Sequence, residues 1–127
     1  MKKLLLVHGW FKQQGFILNL NPDNGLPPII YNEHGFWLCH GNLFFLDEEN
    51  FHGTIYDHCG IAEVNGTLRG NSLEFNKHYT HRQDVIEYRL TQSQTPGEFA
   101  GRYIGELVGS GESKLCLSEP SKTLFVA

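Results

Sequence analysis

Leu73-Glu74-Phe75-Asn76-Lys77-His78-Tyr79 alternates strictly: Leu73, Phe75, Lys77 and Tyr79 fall on one side, Glu74, Asn76 and His78 on the other. Successive strand side chains point to opposite faces, so this is the pattern of a half-buried β-strand. Its neighbours repeat the pattern. Upstream, residues 51–57 put Phe51, Gly53, Ile55 and Asp57 on one face, and His58-Cys59-Gly60 turns the chain. Residues 61–68 then present Ala62, Val64, Gly66 and Leu68, and Arg69-Gly70-Asn71 turns it again. Downstream, Thr80-His81-Arg82-Gln83 leads to a run with Ile86, Tyr88 and Leu90 inward and Glu87 and Arg89 toward water. Strands this close in sequence, joined by short turns, predict an antiparallel meander.

Away from this centre the signals are less uniform. Leu4-Leu5-Leu6-Val7 is a buried strand or a short helix, because a brief apolar run does not settle the period. Residues 16–20 read as a strand closed by the turn cluster at 21–25, and Pro27-Pro28 holds the following edge segment extended. Residues 35–46 form one bent strand with a bulge or a hairpin about Gly41-Asn42. Asp47-Glu48-Glu49-Asn50 is a solvated acidic turn. Phe99, Gly101 and Tyr103 give a further inward face, with Gly101 marking close packing at a barrel bend. Residues 105–112, with Gly109-Ser110-Gly111 as a flexible turn, form a loop before a last strand marked by Leu115 and Leu117. No stretch keeps a helical period. The expected fold is all-β, an antiparallel up-and-down meander closed into a small β-barrel, since closure removes exposed edges. Residues 1–127 make one domain, with 1–34 as N-terminal strands or an extension.

The totals restrict function. A net charge of −4 with no basic run gives nucleic acid no electrostatic footing. Three cysteines, Cys39, Cys59 and Cys116, lie far apart without metal-knuckle spacing, and an odd count does not complete a disulfide framework; they read as reduced thiols in a cytoplasmic protein. The apolar run after Met1-Lys2-Lys3 stops at His8-Gly9-Trp10, short of a signal-peptide core, and no membrane helix is expected.

Gly53-Thr54-Ile55, Asp57, Gly60-Ile61-Ala62, Gly66-Thr67-Leu68, Leu73-Glu74-Phe75-Asn76-Lys77, Tyr79, Ile86-Glu87-Tyr88 and Phe99-Ala100-Gly101 together resemble the small calycin-type barrels, the avidin-like and lipocalin-like group. The resemblance covers roughly the last two-thirds of the chain, at the level of pattern, and implies an up-and-down barrel with an internal cavity. It does not extend to biotin, because the late tryptophans of an avidin are missing; Trp10 and Trp37 lie upstream. Gly35-Phe36-Trp37 also departs from the opening motif of a lipocalin.

In an up-and-down order the turns at 58–60, 80–84 and 105–112 share one end. The inward residues nearest it are Asp57, Lys77, Tyr79 and Tyr103, and these, with the inward Tyr88, are the candidate ligand-binding residues. Lys77 and Asp57 share an apolar face, so they pair with each other, contact a ligand or reach solvent; alternatively Lys77 snorkels and Asp57 caps the turn. His58 and His81 are the weak metal candidates, and His52 faces outward beside Thr54 and Tyr56. No cofactor motif is present: Gly109-Ser110-Gly111 lacks the lysine of a phosphate loop, and Gly70-Asn71-Ser72 lacks the context of a nucleophile elbow. The leading expectation is a non-enzymatic module binding a small apolar or aromatic ligand. The second is a protein-interaction or inhibitor domain, or a homo-oligomer, motivated by Trp10, Phe11, Phe36, Trp37, Phe44 and Phe45. The third is an enzyme using Lys77 or Tyr79 with His81 as acid or base.

Overall fold

Among the described residues eight antiparallel strands follow one another around a closed barrel, each paired with the next and the last paired with the first. The computed structural model describes residues 3–13, 37–106 and 109–120. The strands are β1 (Lys3–Gln13), β2 (Trp37–Phe45), β3 (Asn50–Asp57), β4 (Gly60–Arg69), β5 (Ser72–Tyr79), β6 (Ile86–Gln92), β7 (Glu98–Gly105) and β8 (Gly109–Ser118). The described residues contain no helix, so none of them forms one able to cross a membrane.

The meander of β3 to β6 has the expected faces: Phe51, Ile55, Ala62, Val64, Leu73, Phe75, Ile86, Tyr88 and Leu90 are all buried. Their burial follows from the period of two, which keeps each alternate side chain away from water and supplies about 25 cal/mol per Å² of apolar area covered. The acidic turn after β2 is solvated and tied locally. Asp47 accepts from the Asn50 side chain and from the backbone N–H of Asn50 and Glu49, and these bonds, the side-chain one foremost, hold its carboxyl at about 2.

Three expectations are corrected or completed. Residues 4–7 belong to a strand that continues through Gly9 and Trp10 to Gln13. The stretch around Gly41 is one strand without a bulge or hairpin: every residue from Trp37 to Phe45 has a partner on β1. Glycine serves close approach there, because a Cβ on Gly41 would lie 1.9 Å from the carbonyl oxygen of Thr54; at Gly101 the corresponding distance to the Arg89 carbonyl is 2.1 Å. Gly109-Ser110-Gly111 is not a flexible turn but the start of β8, paired with Gly105, Ile104 and Tyr103. The strand expected at 16–20, the turn at 21–25 and the edge segment at Pro27-Pro28 lie outside the described residues.

The core is layered along the barrel axis. Toward the end where β2 joins β3 it is apolar, filled by Leu5, Leu43, Phe45, Phe51, Leu73 and Phe99. The opposite end, where β3 turns into β4, carries the polar residues. Aromatic rings run between the two: Phe45 to Phe51 at 5.1 Å, Phe51 to Phe75 at 6.3 Å, Phe75 to Tyr88 at 4.6 Å and Tyr88 to Tyr103 at 5.3 Å.

The outer wall has two characters. Across β5 to β8 and onto β1 the register lines up Glu74, Arg89, Arg102, Glu112 and Lys12 in one lateral row of charges. Across β8 to β4 the equivalent row is Cys116, His8, His40, Tyr56 and Ile61, and the outward residues of β2 and β3 include no Lys, Arg, Asp or Glu. His40 stacks on Tyr56 at 5.4 Å and Phe44 meets His52 at 5.6 Å, which places His52 outward as expected.

Candidate functional site

The five candidate residues converge. Asp57 closes β3, Lys77 and Tyr79 end β5, Tyr88 lies one strand further on β6 and Tyr103 on β7. Lys77 is 1 % exposed and Tyr79, Tyr88 and Tyr103 are each nearly sealed. The Asp57 side chain is 0 % exposed. Lys77 therefore does not snorkel to water. Its Nζ lies 2.5 Å from Asp57 Oδ2, and the Tyr79 hydroxyl donates to the same oxygen at 2.6 Å. The other carboxylate oxygen, Oδ1, accepts the backbone N–H of Cys59 at 2.8 Å, so Asp57 also fastens the turn. Pairing and capping, read from sequence as alternatives, occur together.

Aromatic rings enclose the ammonium. Nζ is 4.9 Å from the ring centre of Phe11, 4.8 Å from that of Tyr79 and 5.6 Å from that of Tyr88, distances at which a cation is attracted to a ring. The Tyr88 hydroxyl is a long 3.5 Å away. Outside this shell, His58 stacks on Trp37 at 3.7 Å and on Phe11 at 5.7 Å, while Phe11 meets Tyr103 edge-on at 6.0 Å. Phe11, Trp37 and Cys39 reach the site from β1 and β2, brought there by the pairing of Phe11 with Trp37 and Gly9 with Cys39. No local signal in the sequence announces that arrival.

Burial controls the titrating groups. It pushes the Tyr79 phenol far above the usual tyrosine range, with the Asp57 charge and the bond to Asp57 adding to the effect, and pushes Tyr88 well upward too. Tyr103 rises to about 12 and the Cys39 thiol to about 11, again chiefly through burial. Burial lowers His58, against the opposing pull of the Asp57 charge, and raises Cys59. Tyr79 is accordingly a fixed hydrogen-bond donor and not a base near neutrality. Its ring is 5.9 Å from that of His81, the other partner of the acid–base reading.

The metal candidates separate. His81 lies beside the turn at Gly60, whereas His58 joins Asp57 and Cys59 in a group whose ligand atoms are all within 4.8 Å of one another. Cys59 Sγ and His58 Nε2 are 3.2 Å apart. Both oxygens of Asp57 are already engaged, and the Lys77 ammonium beside it opposes a second cation, leaving two donors where a closed site needs more.

One residue of this end escaped the sequence reading. Both carboxylate oxygens of Asp84 are buried without a hydrogen-bond partner. Arg82-Gln83-Asp84-Val85 does not alternate polar with apolar, so the sequence gives no signal; in the structure exposure alternates from Arg82 to Ile86, with Arg82 and Asp84 half-buried and Gln83 and Val85 exposed, which extends the inward face of β6 back into the segment read as a turn. Comparison of the chain with protein-family models, curated proteins and solved structures finds no match. The closed eight-stranded meander agrees with a calycin-like architecture at the level of fold class.

Proposed function

We propose that this barrel is a non-enzymatic binding module that takes a small apolar or aromatic ligand at the end bearing Asp57, Lys77, Tyr79, Tyr88 and Tyr103. The observation that carries the reading is the Lys77–Asp57–Tyr79 cluster, enclosed by rings at one end of an otherwise apolar barrel. A buried ion pair contributes little net stability compared with apolar residues of similar volume, so its presence favours a role in recognition. Ligand sites are mostly apolar with a few placed polar groups, and Phe11, Trp37 and His58 supply the flat surfaces. The approach runs past His58, which is exposed and sits outside Phe11. The test is native mass spectrometry of protein purified without metal resin, together with a screen of small aromatic compounds by ligand-observed NMR. A retained adduct, or saturable binding lost in the Asp57→Asn/Lys77→Met double variant, is expected. A bare mass together with no saturable binder rejects the reading.

A second reading concerns the uncharged wall. Leu4, Leu6, Leu38, Tyr56 and Ile61 are exposed on β1 to β4, whereas Val85 and Ile104 are the only other large hydrophobics exposed on or beside the remaining strands among the described residues, Leu46 lying in the turn after β2. A second copy of the chain is the occupant it suits, because copies carrying −4 each meet through the outward residues of β2 and β3, which include no Lys, Arg, Asp or Glu, without opposing like charges at the centre of the wall. Strand spacing and rise give this wall roughly 500 Å² per copy, close to the ~1,000 Å² total of a specific interface.

A further inference from the structure

We infer that Asp84 anchors a cationic group of the ligand, a protonated amine or amidine, so that the compound taken at this end is an aromatic cation. The inference rests on the binding reading above and adds the charge of the ligand. Three acidic or basic side chains with buried charged atoms belong to this end of the barrel among the described residues. Asp57 and Lys77 neutralise each other at 2.5 Å. Asp84 remains, with both oxygens sealed from solvent and no hydrogen-bond partner. A carboxylate deprived of water and of donors is costly, and a donor group arriving with a ligand removes that cost.

Its position ties it to the same site. Asp84 stands two residues before Ile86, on the same inward alternation, and Ile86 is the register partner of Lys77. The charged neighbours in its own segment, His81 and Arg82, do not satisfy it: His81 faces Gly60 and the Tyr79 ring, and neither residue makes a hydrogen bond to the Asp84 oxygens. Lys77, the nearest cation on the facing strand, is held by Asp57. The end of the barrel that holds Phe11, Trp37 and Tyr103 therefore also holds a buried carboxylate without a hydrogen-bond donor. An aromatic acid would bring a further carboxylate to a place that already holds two. An aromatic amine sets its ring against aromatic side chains of this end and donates from its ammonium to the Asp84 carboxylate.

The experiment compares phenethylamine, 2-phenylethanol and 3-phenylpropionate, matched in shape and differing in charge, by calorimetry and ligand-observed NMR on the full chain. The amine is expected to bind at least about tenfold more tightly than the alcohol, and the acid most weakly, since close charge pairs couple by that much or more. In Asp84→Asn the amine is expected to lose that advantage and bind no more tightly than the alcohol does to the same variant. The ligand-free Asp84→Asn protein is expected to unfold at a higher temperature than the wild type, because it no longer buries a carboxyl group without a donor. Binding of all three compounds without preference for the amine, or an amine affinity unaltered in Asp84→Asn, overturns this inference and leaves the aromatic site standing. Failure of all three compounds to bind overturns this inference, whereas the binding reading falls only with a bare native mass and no saturable binder in the aromatic screen.

Discussion

Lys77 Nζ lies 2.5 Å from Asp57 Oδ2, across a gap of 20 residues in sequence and with neither side chain more than 2 % exposed. Removing one partner leaves the other as an unpaired buried charge, and Lys77→Met alone is expected to destabilise the fold by about 3–5 kcal/mol. Adding Asp57→Asn, which keeps an acceptor for the Cys59 N–H, is expected to restore most of the loss. Urea unfolding of the two single variants and the double variant measures the coupling. A double variant as unstable as the sum of the singles would show that the two residues do not act as a pair.

Alkaline behaviour follows from the tyrosines. Burial raises the ionisation of Tyr79, Tyr88 and Tyr103 in the fold, while the unfolded chain ionises near the ordinary value of about 10. The folded state thus holds more protons above that value, so stability is intact below about pH 10 and declines as the pH rises further. Ultraviolet titration is expected to show these phenols ionising late, with unfolding. A smooth titration of all five tyrosines near the ordinary value, in protein that remains folded, contradicts the enclosed site.

His58 behaves in the opposite sense. Its lowered value means that the folded state resists the proton, so its contribution to stability is present above the ordinary histidine value near 6.5 and is lost as the pH falls below it. In proton NMR the His58 imidazole is expected to titrate at lower pH than a free histidine. Trp37 fluorescence should change over the same range, given the 3.7 Å stack. An ordinary midpoint with Trp37 unaffected would separate His58 from the aromatic cluster.

The uncharged wall yields a prediction about assembly. Sedimentation of the wild type is expected to show a concentration-dependent dimer. Leu38→Glu, which sets a charge at a residue 78 % exposed, is expected to abolish it, whereas Ile104→Glu on β7 leaves it intact. A wild-type monomer at all concentrations removes the interface reading without touching the binding site.

Strict alternation made the meander readable. At β5, each of Leu73, Phe75, Lys77 and Tyr79 is buried as the period requires, and the turns at Gly60 and Gly70 fall where the small polar residues placed them. Lys77 and Asp57 were legible for the same reason: both lie on apolar faces, where charge is out of place. Gly41 was ambiguous because glycine serves a turn and a close approach equally well, and only the carbonyl of Thr54 on the next strand distinguishes them. Phe11, Trp37 and Cys39 could not be assigned to the site, since cross-strand register is a long-range property that local pattern does not encode. Asp84 was lost inside a polar run whose turn residues masked its alternation.

The seam between β1 and β8 constrains how the molecule is made. Ser113 donates its hydroxyl to the Trp10 carbonyl across 103 residues, and the two strands pair from Leu6 with Ser118 to Gln13 with Gly111. Neighbouring strands form local hairpins early, yet β1 stays an unpaired edge on that side until β8 has left the ribosome. Synthesis therefore passes through a curved open sheet with the Leu4 and Leu6 strand at its margin, vulnerable to pairing with another chain. The slow, escape-prone moment in the life of this protein is the last stitch, and substitutions that weaken the seam should lower the yield of soluble protein by more than their effect on the finished barrel's stability.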